Sequence, residues 1–313
     1  MENGWERTLP LVEISHDSIA GLFNGVINSD DISHIVLLNE GCRTTNYMVS
    51  SKNNSKYLLK IFYEDNKSYR KDINLFSRIK EYVPVQEIYK SGLINNKKYI
   101  IYKYIEGKTI SQYVNEGNKI TKEIVESVAE ILGRIHTMKF RKVGNLNENL
   151  YIENELEPII KLYDKYINEN VRLRLGPENI NKIKHIIAKY NSELSLLDYD
   201  SRLIHGDFQG TNIILNNKSV VAIIDWEFCR AGSPLIDIGQ FFRYEEYFNN
   251  ELINAFENKY RKVSDYKLID NWYDICKIID LLSLIQLISR DEEMPNKYNQ
   301  IKEIIKCSID KLY

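Results

Sequence analysis

The sequence predicts an α+β chain in two lobes, a small β-rich one followed by a larger helical one. Three observations lead there. The chain has 313 residues, more than a single hydrophobic core usually organises. Its first third breaks into short apolar runs separated by polar turns, the pattern of strands. From Thr109 onward the apolar residues recur three and four apart, the pattern of amphipathic helices. The change falls at Glu106-Gly107, so the expected lobes are residues 1–106 and 107–313.

Element by element, a helix over 16–27 precedes a strand over 32–38, a loop over 39–46 and a strand over 47–50. A polar turn at 52–55 leads to a strand over 57–62 and then a helix over 67–81, which Pro84 ends. Strands over 85–90 and 98–105 complete the first lobe. The clearest helix runs over 121–136, with Ile124, Val128, Ile131, Leu132 and Ile135 on one face and Thr121 placed to cap it. Further helices are expected over 156–170, 178–197 and most of 234–313, interrupted by one apolar hairpin.

Composition removes several classes of function. A hydrophobic content of 43% with 27% charged residues is ordinary for a soluble globular chain. The net charge of −2 offers no basic surface for a phosphate backbone, so nucleic acid is not an expected partner. Residues 1–10 lack the apolar core of a secretory signal. The run 278–288 is too short to span a bilayer and is interrupted by Asp280 and Gln286, so no membrane partner is expected. Cys42, Cys229, Cys276 and Cys307 show no C-x-x-C spacing and no His pair joins them; they read as reduced thiols, and a cytoplasmic location follows by elimination.

The chemistry concentrates in His205-Gly-Asp-Phe-Gln-Gly-Thr-Asn212, followed by Ile213–Leu215, the polar turn Asn216–Ser219, Val220–Ile224 and then Asp225-Trp-Glu. Each Asp or Asn alone reads as well as a turn residue or a helix cap. Together they read differently. Pairing of the two apolar runs as an antiparallel hairpin folds Asn212 and Asp225 toward one another. Two oxygen donors meeting there suit Mg²⁺, which takes one or two carboxylates plus phosphate oxygens. The order is that of an ATP-dependent phosphotransferase: Asp207 orients a hydroxyl, and Asn212 and Asp225 hold the metal. Lys60 is the second feature. It sits on an apolar strand expected to be buried on both faces, where an ammonium needs an anion to offset lost hydration. Phosphate oxygens and a carboxylate from the 67–81 helix would meet that need, with Asp72 and Glu81 as the candidates.

On these residues the chain resembles the aminoglycoside phosphotransferase and choline kinase superfamily, which has a bilobal protein-kinase-like fold. The resemblance covers about 39–243 and includes Gly41-Cys-Arg-Thr-Thr-Asn-Tyr47, Leu58-Leu-Lys60, Val83-Pro-Val85, Tyr102-Lys-Tyr-Ile-Glu-Gly107, Leu132-Gly-Arg-Ile-His136 and Ser233-Pro-Leu-Ile-Asp237. It implies Asp207 as the catalytic Asp, Asn212 and Asp225 as Mg²⁺ ligands, and Lys60 on the α/β-phosphates of ATP or GTP. It places Asp72 where the family has its ion-pairing Glu. It makes Tyr102–Ile105 the hinge, with the Lys103 carbonyl and Ile105 amide at the adenine edge. His136, His205 and Asp237 become framework residues. The first lobe would bind nucleotide, and the second would carry the catalytic loop and the acceptor site.

Departures from protein kinases narrow the substrate. The phosphate loop has Gly41 alone, with Thr44, Thr45 and Asn46 as donors. Gly206 replaces the Arg that senses a phosphorylated activation loop, and little chain separates Asp225 from Pro234. A protein substrate is therefore disfavoured. The segments 145–200 and 236–313 carry Glu153, Glu155, Asp164, Glu245, Glu246, Asp274 and Asp280 with Tyr244, Trp272 and Tyr273. Acidic and aromatic groups suit a small cationic acceptor, and an aminoglycoside-type compound is the first expectation. A choline, amino-alcohol or sugar kinase is the alternative. A non-catalytic kinase-like binding protein is the alternative of another class, and retention of Lys60, Asp207, Asn212 and Asp225 argues against it.

Overall fold

The computed structural model describes residues 1, 5–38, 43–63 and 68–313; Gly41 and Cys42 of the expected phosphate loop lie outside them. Helix α1 (His16–Leu22) is capped by the Ser15 hydroxyl, which accepts from the Ser18 amide at 3.3 Å. It stops at Leu22 rather than residue 27, because the chain turns back through Gly25 at φ +87°. Strands β1 (Ile32–Leu38), β2 (Thr44–Ser51), β3 (Lys56–Phe62), β4 (Ile88–Ile94) and β5 (Lys97–Lys103) form an antiparallel sheet in the order β1-β2-β3-β5-β4. Alternation along β3 decides which side chain faces what. Leu59 and Ile61 pack with Ile19 and Phe23 of α1, whereas Phe62 joins Ile100 and Tyr102 on the opposite face. That second face is covered by helix α2 (Ser68–Ile79), which contributes Tyr69 and Ile73.

Two expected strands shift. The segment beginning at Val85 was expected to be strand, yet pairing in the sheet starts at Ile88; Val85 makes a parallel bridge to Ile223, and the Pro84 carbonyl accepts from Ile223 N at 2.8 Å. Those residues stitch the sheet to the hairpin of the other lobe instead of lengthening a strand. The last strand ends at Lys103 rather than residue 105.

Beyond the sheet, β6 (Lys108–Thr109) leads into α3 (Ile110–Asn115), whose start is a capping box between Thr109 and Gln112. Helix α4 (Lys122–Ile135) buries the five apolar residues expected of it, although the Thr121 hydroxyl makes no capping bond. Strands β7 (Gly144–Leu146) and β8 (Ile152–Glu155) precede α5 (Ile159–Tyr166). The expected helices at 156–170 and 178–197 are redivided. Asn168 caps a new start, so α6 (Glu169–Lys189) begins earlier, bends at Gly176-Pro177, and is followed by α7 (Asn191–Leu196). Strand β9 (Arg202–Ile204) enters the motif, and β10 (Ile213–Asn216) and β11 (Ser219–Ile223) form the expected hairpin, turning through Asn217 and Lys218 at positive φ. The last elements are β12 (Arg230–Gly232), α8 (Leu235–Phe241), α9 (Asn250–Val263), α10 (Trp272–Ile288) and α11 (Pro295–Leu312).

Sheets β11-β10-β6 and β8-β7-β12-β9 complete the topology. The second of these escapes sequence reading because its strands are three or four residues long, too short for alternation to show. No helix among the described residues is long and apolar enough to cross a membrane. The helical lobe has one continuous core, and α8 lies so close to α10 that a Cβ at Gly239 would sit 2.1 Å from the Cys276 carbonyl oxygen. Replacing Gly239 by Ala therefore forces two backbones apart. We expect a loss of about 3 kcal/mol, near the top of the usual range for overpacking, read as a lowered urea midpoint; an unchanged midpoint would show the contact relaxes freely.

Candidate active site

The loop between β9 and β10 carries the motif, and α8 holds it. Asp237, fully buried, accepts from the amides of His205 at 2.7 Å and Gly206 at 2.8 Å, and from His136 Nε2 at 3.3 Å. One turn along α8, Gln240 accepts from Phe208 N at 2.7 Å and donates to the Gly206 carbonyl at 3.0 Å. Gly206 has φ +79°, and a Cβ there would meet the Phe228 carbonyl oxygen at 2.4 Å. Only glycine fits that position, which accounts for the absence of an Arg. His205 is framework too. Its ring lies 4.6 Å from Trp226, Nε2 donates to the Ile224 carbonyl at 2.9 Å, and Nδ1 accepts from Asp207 N at 3.3 Å. A carbonyl only accepts and an amide N–H only donates, which fixes that tautomer.

Asp207 is thus presented on a loop pinned at both sides. Its Oδ2 accepts from Asn212 Nδ2 at 2.9 Å, and its Oδ1 accepts from Gln209 Nε2 at 2.9 Å. Asn212 Nδ2 also reaches the Asp207 carbonyl at 2.9 Å, so the amide nitrogen is committed to Asp207 and the amide oxygen is the atom that could meet a cation. The Asn212 carbonyl accepts from Ile224 N at 3.0 Å, so the hairpin does bring Asn212 beside Asp225. Asp225 takes a left-handed conformation at φ +64°, and its Oδ1 accepts from Lys60 Nζ. Two oxygen donors at one end of a hairpin fit a hard cation that draws its remaining ligands from phosphate and water. No cluster of three His, Cys, Asp or Glu among the described residues could hold a metal unaided.

A cleft between the sheet and this hairpin is lined by Asn46, Leu58, Lys60, Asp72, Asp225 and Trp226, among others. Lys60, Asp72 and Asp225 share it, Glu227 lies close enough to act on them, and burial works on all four. Burial opposes charging of Lys60, but Asp225 and Asp72 outweigh it and hold the ammonium protonated well above its ordinary range. Burial would raise Asp225 as well; Lys60 outweighs it and holds that carboxyl below the usual range. Asp72 goes the other way: burial dominates and its pKa is raised, despite Lys60. Glu227, two residues past Asp225, is pushed up to about 7 by burial and by Asp225.

The expected residues are only partly assembled. Lys60, Asp72 and Asp225 meet in the cleft, with Asp207 and Asn212 on the adjoining loop. Asp72 is reached by the Tyr102 hydroxyl at 3.2 Å rather than by a hydrogen bond from Lys60, and its other oxygen is buried without a hydrogen-bond partner among the described residues. Asn46, not Thr45, points into the cleft. Thr45 has the opposite strand parity, and its hydroxyl accepts from Val12 N at 2.8 Å on the α1 side. Thr44 O is taken by Arg7 Nη2 at 2.9 Å. The Lys103 carbonyl faces Gln86 Nε2 at 3.5 Å, and the Ile105 amide makes no backbone bond among the described residues. Glu81 lies beyond the end of α2.

The acidic wall expected for the acceptor is largely spoken for. Asp280 pairs with Arg243 at 2.7 Å, Glu245 with Lys277 at 3.0 Å and with Lys311, Glu155 with Lys142 at 2.5 Å, and Asp274 accepts from Tyr190. Trp272 packs in the aromatic core beside Phe256, so it has no face to offer a ligand. Glu246 is exposed beside Tyr247 in an open groove between α3 and α9. Glu227, Gln209 and Gln240 carried no assigned role in the sequence, and Tyr102 was named only as the start of the hinge. Only Glu227 had a local signal, as a second carboxylate in Asp225-Trp-Glu227.

A family model described as the phosphotransferase enzyme family matches residues 34–270, more than half of the chain. The fold superposes on a thermostable mutant aminoglycoside phosphotransferase in ternary complex with AMP-PNP and hygromycin B, at a TM-score of 0.68 and 14% identity over 94% of this chain and 98% of that one. It also matches macrolide 2′-phosphotransferase from Brachybacterium faecium (0.67, 10% identity, 87% and 91% covered). A choline kinase from Streptococcus pneumoniae matches at 0.61, with 18% identity and 94% and 98% covered. At these identities the likeness establishes the fold. Among curated proteins, acyl-CoA dehydrogenase family member 11 of Pongo abelii is 46% identical over 46 residues, 14% of this chain and 6% of that protein's length.

Among the described residues the Tyr102 hydroxyl supplies the one side-chain hydrogen bond to the buried Asp72 carboxyl, so Tyr102→Phe should cost about 1–3 kcal/mol of unfolding free energy. Chemical denaturation measures it, and a loss near zero would mean Asp72 finds another donor.

Proposed function

This chain belongs to the phosphotransferase enzyme family, and we propose that it moves the γ-phosphoryl group of ATP or GTP to a hydroxyl of a small cationic molecule, most nearly an aminoglycoside-type compound. Small-molecule phosphotransfer is the activity of the family and of its structural neighbours. The observation that carries the reading for these residues is a single one: Asp207, held by two amide donors, stands next to the Asn212–Asp225 pair and the buried Lys60.

In this reading residues 1–106 form the nucleotide lobe, and 107–313 carry the catalytic loop and the acceptor site. Asn212 and Asp225 would hold Mg²⁺, which neutralises phosphate charge when bound. Lys60 lies at the same point with a second positive charge for the phosphates. Lys103 and Ile105 supply a carbonyl and an amide at the end of β5 for the base edge, and Thr44 and Asn46 line the approach to the phosphates. Asp207 accepts a hydrogen bond from the acceptor hydroxyl and orients its oxygen. Most of the rate gain then comes from positioning and charge neutralisation, since a loose transition state asks little covalent chemistry of the protein. Support for a cationic acceptor comes from hygromycin B in one neighbour, choline in the name of another, and the exposed Glu246 beside Tyr247. A coupled ADP-release screen over aminoglycosides, choline, ethanolamine and sugars tests it; no nucleotide response in folded protein would favour a non-catalytic role.

The division of labour gives a sharper test. Asp207→Ala should lower transfer by roughly a thousandfold and leave nucleotide affinity unchanged, while Asp225→Ala should weaken both. Calorimetric titration with Mg²⁺ and nucleotide separates them, and identical nucleotide curves for the two variants would refute the assignment. For the acceptor, Glu246→Gln should raise KM several-fold with little change in kcat, and KM of the parent should rise with ionic strength. Turnover of a neutral sugar without response to any amine would overturn the cationic reading and leave the kinase assignment standing.

A further inference from the structure

The groups that hold the catalytic loop recur every third residue: Asp237, Gln240 and then Arg243, just past the end of α8. The first two bind loop backbone. Arg243 reaches a side chain of the loop, donating from Nη1 to Gln209 Oε1 at 2.7 Å, and Gln209 Nε2 donates in turn to Asp207 Oδ1 at 2.9 Å. Arg243 is itself clamped, with Nε 3.1 Å from Asp280 Oδ2 and Nη2 2.7 Å from Asp280 Oδ1. All three members beyond Asp207 are buried, Asp280 to 1% and Arg243 to 3% exposure.

The chemistry of the chain fixes its direction. A guanidinium offers donors only and a carboxylate accepts only, so the amide between them has one orientation that satisfies both. With its oxygen toward Arg243, Gln209 must turn its NH₂ toward Asp207. We propose that Arg243, locked by Asp280, is a positioning residue that acts through Gln209 to hold the Asp207 carboxylate in the orientation that receives the acceptor hydroxyl. The proposal rests on the phosphotransferase reading of the same site and adds to it a pair of residues outside the motif. Without the arm, Asn212 still holds Oδ2, but the carboxylate is free to rotate about that one bond. A misplacement of about 1 Å can cost on the order of a hundredfold in rate.

Three variants test it. Gln209→Glu keeps the size and the bond to Arg243 but faces Asp207 with an acceptor; Gln209→Met removes the donor without adding charge. Arg243→Met leaves Asp280 buried and unpaired, so it is made together with Asp280→Leu, a swap of an ion pair for apolar groups that folds tolerate. In each, kcat should fall at least about tenfold while KM for the nucleotide stays at the parent value, since the nucleotide side of the cleft is untouched. Adding Gln209→Met to the Arg243/Asp280 pair should give little further loss, the non-additivity expected of one linked unit. Parent-level kcat in Gln209→Glu, or in a folded Arg243→Met/Asp280→Leu variant, overturns the arm. If the parent transfers phosphate to no acceptor, the proposed function fails instead. The arm is then judged by crystal structures: an Asp207 rotamer unchanged in the Arg243→Met/Asp280→Leu variant overturns it.

Discussion

The carboxylate of Asp237 is the constraint on which the rest of this structure depends. A fully buried carboxylate loses hydration worth several kcal/mol and persists only where donors replace the water. Here two consecutive backbone amides and an imidazole do so. Those amides belong to His205 and Gly206, so satisfying Asp237 fixes the backbone immediately before Asp207. The same need explains the surroundings. Gly206 must lack a side chain to let Phe228 pass, and His136 must end α4 at this depth, held by the Tyr260 hydroxyl at 2.8 Å. Gly239 must let α8 settle onto α10, which brings Asp280 within reach of Arg243.

Charge in the cleft is arranged by a different logic. Asp72, Asp225 and Glu227 crowd around Lys60, and only Asp225 receives its hydrogen bond. Three carboxyls cannot all ionise cheaply at such density. The structure resolves this by difference of surroundings: Lys60 holds Asp225 below its usual range, burial pushes Asp72 and Glu227 upward, and the hydrogen bond from the Tyr102 hydroxyl offsets only part of that push on Asp72. The carboxyl held below its usual range is therefore the one beside Asn212. Lys71 reinforces the arrangement from α2, donating to the Glu227 carbonyl at 2.9 Å and the Cys229 carbonyl at 3.1 Å, so that α2 and the segment after Asp225 are held together.

How much of this could be read in the sequence depends on how far apart the cooperating residues lie. Asp207, Asn212 and Asp225 sit within one loop and one hairpin, and short-range pairing rules suffice to bring them together. Thr45 and Asn46 could not be told apart, because which strand face meets the cleft is decided by where α1 and α2 pack. The redivision of the 156–197 helices turned on the Asn168 cap and the Gly176-Pro177 bend, both local signals that the apolar pattern overrode. The pairing of the acidic residues is hidden for a longer-range reason. Asp280 and Glu245 look free in sequence, but Arg243 and Lys277 neutralise them only once α8 lies on α10. Gln209 is the hardest case, since its partner Arg243 is distant in sequence and carries no motif.

Opening of the cleft is limited by contacts away from the hinge. Lys108 pairs with Leu215, and Val85 bridges Ile223, so both strands of the β10–β11 hairpin are tied to the chain entering and leaving the five-stranded sheet. The segment ahead of α1 adds a third tie. Glu6 accepts from the Asn296 and Lys297 amides at 2.9 and 3.2 Å, where the start of α11 offers unsatisfied N–H groups and a positive dipole end. Trp5 lies under the Lys297 ammonium at 4.8 Å and donates to Gln300. The next residue, Arg7, reaches Thr44 on β2. A short stretch of chain therefore links the far helix of the helical lobe to β2. Any movement that lifts this strand must break the Arg7 bond or pull Glu6 from its cap. With three such ties, drawing the five-stranded sheet away from the helical lobe would break backbone pairing at two places and a side-chain cap at a third.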